Sequence, residues 1–161
     1  SCVAYDSAAN QEGIRHRSLK LAALQKTLKA PPLHGDAEGD LLVIGWGSTK
    51  GAIEEAVDRL RAKGHRVASL HLKFIQPMAS GIRESMARFR QVMTIENNWS
   101  DRLQGPLLDA DNRRYTELAT LLRARFLVDV DCWSEVKGIP LKPGTVERVV
   151  LDKLQSMEVA P

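Results

Sequence analysis

Apolar positions along this chain fall into two alternating rhythms. Leu41, Leu42, Val43 and Ile44 form an apolar run too short for a helix, which leads into Gly45 and Gly47. Ser48 and Thr49 follow as caps for a helix with Gly51 in its first turn. This pattern predicts a buried parallel strand, a tight turn and a helix start, the unit from which open α/β sheets are built. Ile53, Val57 and Leu60 mark the buried face of that helix, and Lys63-Gly64 ends it. From Arg66 to Ile75, Ala68, Leu70, Leu72 and Phe74 alternate with Ser69, His71 and Lys73 as in a second strand, broken by Gln76-Pro77. Ser80 is placed to cap a helix burying Ile82, Met86 and Phe89, and Val92 to Ile95 form a third strand ending at Glu96-Asn97-Asn98. Trp99 to Arg114 shows no period. A helix over Tyr115–Arg125 then points Leu118, Leu121 and Leu122 inward, Phe126 to Val130 is a fourth strand, and Pro143 opens a last helix. Strands alternating with helices imply a parallel sheet covered on both faces, with right-handed crossovers.

The first part of the chain differs. Ser1 to Asn10 has no period and is expected to fray, whereas Ile14, Leu21, Leu24 and Leu28 recur at helical spacing within Gln11–Ala30. Pro31-Pro32 ends that helix, and Leu33 to Asp40 is expected to be a polar linker. The helix either packs on its own domain or connects to an upstream domain, and the connector is the preferred reading. The expected organisation is a connector helix and linker over 1–39, an α/β domain over 40–155 and a frayed tail over 156–161.

Composition narrows the function. At 161 residues the chain suits one domain that buries ~70% of its unfolded surface. A net charge of +3 from 23 basic and 20 acidic residues, with no aromatic-interleaved basic cluster, argues against a nucleic-acid partner. Only Cys2 and Cys132 are present, too few and too far apart for an iron–sulfur cluster or a structural zinc held by this chain alone. Two lone thiols, no signal-peptide pattern and no apolar run near ~18 residues lead to a cytoplasmic expectation, with no membrane partner. A first residue of Ser1 fits a piece of a longer protein and equally fits tag removal.

Chemistry is expected at the carboxyl ends of the strands, where Gly45–Gly51, His71–Pro77 and Glu96–Arg102 gather. Gly45 to Gly51 suggests anion binding at a helix start. It is nevertheless no Walker loop, because Lys50 precedes the glycine, and no dinucleotide fingerprint, because Lys50 replaces the third glycine. A tight turn and close helix–sheet approach explain the glycines more simply. His71 and Glu96 are candidates for an acid–base pair, weighed against a hydrogen-bonded structural histidine with no nucleophile beside it. Trp46, Trp99 and Trp133 are candidate interface anchors. On these residues an interaction domain is preferred to a self-contained enzyme.

Asp40 to Pro77, DLLVIGWGSTKGAIEEAVDRLRAKGHRVASLHLKFIQP, closely resembles the C-terminal region of the α subunit of 2-oxoacid:ferredoxin oxidoreductases. VMTIENNW (Val92–Trp99) and GIPLKPGTV (Gly138–Val146) are similar to later segments of that family, and GWGSTKGAI is the most specific part. The resemblance implies a three-layer α/β/α sandwich with a mainly parallel, five-stranded sheet, like the transketolase C-terminal domain. It also implies a whole enzyme that uses thiamine diphosphate, iron–sulfur clusters and coenzyme A to decarboxylate a 2-oxoacid oxidatively, pass electrons to ferredoxin and form an acyl-CoA. None of these cofactors is expected in this chain, which is expected to be inactive alone. The implied partners are the β subunit, other domains of the same enzyme and ferredoxin, with a homodimer left open. Gly45, Trp46, Gly47, Ser48, Thr49, His71, Glu96, Asn97, Asn98 and Trp99 are the expected sheet-edge and interface residues. Two departures stand out: Asp101-Arg102 occupies the place of the family's Gly-Gln, and Gln104 to Arg114 is longer than usual. No role for Asn97 or Asn98 is carried over. The alternatives are a stand-alone regulatory module binding an anion at Gly45–Gly51 and a related transketolase-type domain.

Overall fold

A computed structural model describes residues 5–159. Five strands, β1 (Leu33–Gly35), β2 (Gly39–Trp46), β3 (Val67–Leu72), β4 (Phe89–Glu96) and β5 (Val130–Ser134), form one sheet in the order β1-β3-β2-β4-β5. All neighbours are parallel except the β1–β3 pair. The helices are α1 (Ser7–Thr27), α2 (Lys50–Ala62), α3 (Ile82–Met86), α4 (Glu117–Phe126) and α5 (Pro143–Val159).

The alternation of β2 explains the layers. Leu41 and Val43 point to one face, where α2 and α5 bury Ile53, Val57, Leu60, Val146 and Val150. Leu42 and Ile44 point to the other, where α3 and α4 bury Ile82, Met86, Leu118 and Leu122. Both faces are therefore apolar, as a doubly covered parallel sheet requires. The expected three-layer α/β/α sandwich with a mainly parallel, five-stranded sheet is the observed fold.

Local physics moves several boundaries. Leu33–Gly35, expected within a linker, is an edge strand: Leu33, His34 and Gly35 pair with Leu70, Ser69 and Ala68. Its three residues are too few to show alternation. The second strand stops at Leu72, and Phe74 is exposed instead of alternating inward. α3 starts after Gly81, which has φ +85°, so Ser80 is not its cap, and Phe89 opens β4. The last strand begins four residues later than expected, at Val130, because α4 runs on to Phe126 and ends at Leu127 in the left-handed region. Helix α2 ends as expected: Gly64 donates to Arg61 and His65 donates to Leu60, the paired bonds of a glycine C-terminus. α1 begins at Ser7, with Asp6 accepting from Ala9 N–H, so residues 7–10 are helical; Ser1 to Ala4 lie outside the described residues. At the other end α5 continues through 156–159 because Met157 packs into the core, which replaces the expected tail there; residues 160–161 lie outside the described residues.

The outer strand β5 carries Asp131, which accepts from Lys153 Nζ at 2.9 Å and from Arg113 at 3.3 Å. Burial raises the pKa of this carboxyl, but Lys153, the Cys132 amide and Arg113 together hold it below the usual carboxylate range.

Candidate functional site

Strand order reverses between β2 and β4: β3 follows β2 on one side, and the chain then crosses to the other side for β4. Open α/β sheets form their crevice outside the carboxyl ends at such a point. Here the crevice is about 260 Å³ and is lined by Trp46, Gly47, Ser48, Thr49, Asn97 and Asn98. Six of the ten expected residues thus meet in one place.

Gly45 allows a close approach: a Cβ there would lie 2.4 Å from Ile53 Cδ1 and 2.6 Å from Thr49 Oγ1, and both side chains would have to shift to admit it. Gly47, at φ +61°, makes the turn. The capping role expected for Ser48 and Thr49 is not observed. Residues 47–49 form a 3₁₀ turn, and Thr49 Oγ1 donates back to the Trp46 carbonyl at 2.9 Å. Ser48 Oγ instead accepts from Asn97 Nδ2 at 3.3 Å, bridging the two loops.

Glu96 is fully buried at the end of β4, and its carboxylate accepts four N–H groups. Leu118 N–H reaches Oε2 at 3.0 Å and Ala119 N–H reaches Oε1 at 3.3 Å; Asn98 Nδ2 (2.8 Å) and the Trp46 indole (3.2 Å) also reach Oε2. Asn98 Oδ1 accepts from Glu117 N–H at 3.3 Å. Two side chains, Glu96 at the end of β4 and Asn98 just after it, therefore cap the first turn of α4. Thr116, its own N-cap residue, makes no such bond and pairs with Thr94 instead. A negative charge at a helix start is also favoured by the helix dipole.

The expected His71–Glu96 acid–base pair is not assembled. β2 separates β3 from β4, so the strand axes lie ~10 Å apart. His71 shares the α2 face with Val67 and Ser69, while Glu96 shares the α4 face with Val92 and Thr94. Among the described residues, His71 Nδ1 is the buried side-chain polar atom without a hydrogen-bond partner. Burial, followed by the charge of Lys50, lowers its pKa below the ordinary histidine value.

Trp46 and Trp99 are 39% and 61% exposed, while Trp133 lies within β5, half-buried against the α5 side. Beside Trp46, Ile75, Leu118, Leu121 and Ala124 line a second, mainly apolar crevice of about 390 Å³.

One feature invisible in the sequence holds the long loop. Asp101 accepts from the Arg114 amide (3.0 Å), from its guanidinium (3.2 and 3.3 Å) and from the Trp99 indole (2.8 Å), and Asp101 N–H donates to the Arg114 carbonyl. Asp101 and Arg114 thus close the two ends of the loop as one clasp. The partners lie thirteen positions apart, so no local period marks them. The Arg114 side chain, then the Trp99 indole and the Arg114 amide, hold the Asp101 carboxyl at a pKa of about 2. The unfolded group binds a proton first as pH falls, so this contribution is complete above about pH 4 and disappears towards pH 2. Asp101→Asn is expected to flatten the loss of stability between pH 4 and pH 2 relative to the unchanged chain, measured by urea midpoints across that range.

Among the described residues there is no group of three or more His, Cys, Asp or Glu arranged to hold a metal, and no helix long and apolar enough to cross a membrane.

Residues 39–126 match the family described as pyruvate:ferredoxin oxidoreductase core domain II. The chain is 30% identical over 149 residues to 2-oxoglutarate oxidoreductase subunit KorA of Mycobacterium tuberculosis, an alignment covering 92% of this chain and 20% of that one. It is 36% identical over 69 residues to the α subunit of 2-oxoacid:ferredoxin oxidoreductase 1 of Aeropyrum pernix, covering 41% of this chain and 11% of the relative. It therefore spans a fifth or less of the length of these curated relatives. Among solved structures, it superposes on the 2-oxoglutarate:ferredoxin oxidoreductase of Magnetococcus marinus, solved with 2-oxoglutarate, coenzyme A and succinyl-CoA bound. That superposition has a TM-score of 0.74 at 25% identity and covers 94% of this chain and 24% of that one. A split-gene transketolase in an inactive β4 tetramer shares the fold at a TM-score of 0.52 and 17% identity, covering 80% of this chain and 43% of that one. The chain belongs to the pyruvate:ferredoxin oxidoreductase core domain II family and is a domain of the α-subunit type found in 2-oxoacid:ferredoxin oxidoreductases.

Proposed function

We propose that this domain is a non-catalytic assembly layer of a thiamine-diphosphate-dependent 2-oxoacid:ferredoxin oxidoreductase. In this reading the whole enzyme converts a 2-oxoacid to an acyl-CoA and reduces ferredoxin. Thiamine diphosphate, coenzyme A and the iron–sulfur clusters are bound by other domains and by the β subunit. The donor set supports that division, since a four-cysteine cluster cannot be built from Cys2 and Cys132.

The observation that carries the reading is the use made of Glu96. The buried carboxylate at the carboxyl edge is engaged by the first turn of α4 and by Trp46 and Asn98, with its lone pairs turned inward. What the edge offers outward is two tryptophan rings and an apolar crevice, the surface chemistry of an interface core.

Paired variants of the whole enzyme test this. Trp46→Ala and Trp99→Ala are each expected to weaken subunit assembly by about 30-fold, the effect of losing an interface anchor worth ~2 kcal/mol. Turnover per assembled enzyme stays within about twofold. Sedimentation and single-turnover assays read the two quantities separately. A hundredfold loss of turnover in fully assembled enzyme would place the edge in the chemistry and refute the reading.

A further inference from the structure

The geometry points to an edge lock built into the fold: two arginines and the base of the long loop occupy the outward main-chain groups of β5 and keep that strand from pairing with β5 of a second copy. The lock is a property of this chain and holds whatever the strand ends contribute to assembly.

β5 has a neighbour on the β4 side alone, so part of its main-chain N–H and C=O groups face away from the sheet. Side chains take these groups up. Arg123 of α4 donates to the Val130 carbonyl at 2.9 Å, and Arg113 donates to the Cys132 carbonyl at 3.1 Å. The Cys132 amide donates to Asp131 Oδ1 at 2.8 Å, and Arg113 reaches the same oxygen at 3.3 Å. At the end of the strand the Ser134 hydroxyl accepts from the Ser100 amide at 3.0 Å.

The two arginines are themselves held. Both guanidinium groups lie over the Tyr115 ring, with Arg113 4.7 Å and Arg123 4.4 Å from its centroid. Arg113 Nε donates to the Asp101 carbonyl at 3.2 Å, and Arg114 next to it closes the clasp with the Asp101 carboxylate. Arg123 is also paired with Asp129. The far part of the loop closes on itself instead: Asn112 Nδ2 donates to the Leu107 carbonyl, and Asp109 accepts from the Asp111 and Asn112 amides. The lock is therefore the base of the loop, stacked on one aromatic ring and tied to one carboxylate.

An unsealed β5 would match a second copy of itself. A two-fold axis through Cys132 sets Asp131 opposite Trp133 and Val130 opposite Ser134, so no like charges face each other. Valine and tryptophan also suit a paired strand. With the Val130 and Cys132 carbonyls already accepting from arginines, that pairing would first have to displace both guanidinium groups.

Hydrogen exchange and sedimentation of the full-length, assembled enzyme test the lock. In Arg113→Gln/Arg123→Gln, amides of residues 130–134 are expected to exchange at least about tenfold faster than in the unchanged enzyme, while those of β2 stay within about twofold. The same variant is expected to form a species of about twice the mass. Arg113→Lys/Arg123→Lys keeps the charge but loses the planar fork; it serves if the first pair does not fold, with the same gain in mass and exchange at least about threefold faster. Arg102→Gln/Arg125→Gln is the control, since these guanidinium groups lie over Trp133 and Phe126 and bond neither carbonyl. It is expected to change neither reading. Unchanged exchange at 130–134 in the arginine pairs overturns the lock, as does faster exchange without a gain in mass, or an equal response from the control.

Discussion

Glu96→Ala is expected to lower the unfolding free energy of this chain by about 3–5 kcal/mol. The substitution removes the acceptor of four N–H groups at a fully buried position. Two of them, from Leu118 and Ala119, are first-turn donors of a helix whose own N-cap residue offers no replacement. The amides lose their partner where water does not reach, and the missing side chain leaves a void against α4. For a domain of this size the loss corresponds to ~10 °C in Tm. Glu96→Gln keeps the shape and one acceptor oxygen but turns an NH₂ donor towards donors, so about half that loss is expected. Thermal unfolding followed by circular dichroism reads both variants. A shift below ~2 °C for Glu96→Ala would mean that α4 is held by something other than this carboxylate.

Gly39→Ala is the second large effect, at about 3 kcal/mol. A Cβ at Gly39 would lie 2.4 Å from the Arg66 carbonyl oxygen and 3.0 Å from its carbon, both main-chain atoms. That oxygen already accepts from Asp40 N–H at 2.8 Å, and Gly39 N–H donates to Arg88 across the other side of β2. Strands on both flanks therefore pin the residue, and relief requires prising β2 from β3 where their pairing begins. Gly51→Ala supplies the contrast. Nothing lies within 4 Å of a Cβ there, and the residue sits in the first turn of α2. A gain of ~0.5–1 kcal/mol is expected from the smaller entropy of the unfolded chain. Urea midpoints moving in opposite directions for the two glycines would establish that close packing, rather than glycine's flexibility, governs position 39.

The layers were legible because their causes are local and repeated. The run Leu41–Ile44, the helix spacing of Ile53, Val57 and Leu60, and the glycine stop at Gly64 each follow from nearest neighbours along the chain. The edge strand Leu33–Gly35 was not legible, since three residues carry no period and its partner lies more than thirty positions away. The sequence offers Glu96 as a carboxylate at a strand's carboxyl end, a candidate acid–base partner of His71, whereas its observed role as acceptor for the first turn of α4 depends on where that helix begins in space. The Asn98 cap and the Asp101–Arg114 clasp depend in the same way on contacts that only folding creates.

The two margins of the sheet have a consequence for the molecule in a crowded solution. β1 offers only three residues after a Pro-Pro step, and β5 offers five with a charged Asp131 held by Lys153 and Arg113. Short, proline-flanked or charge-bearing borders are poor templates for a strand from another molecule. Side-by-side stacking of sheets into fibrils is thereby discouraged at both margins.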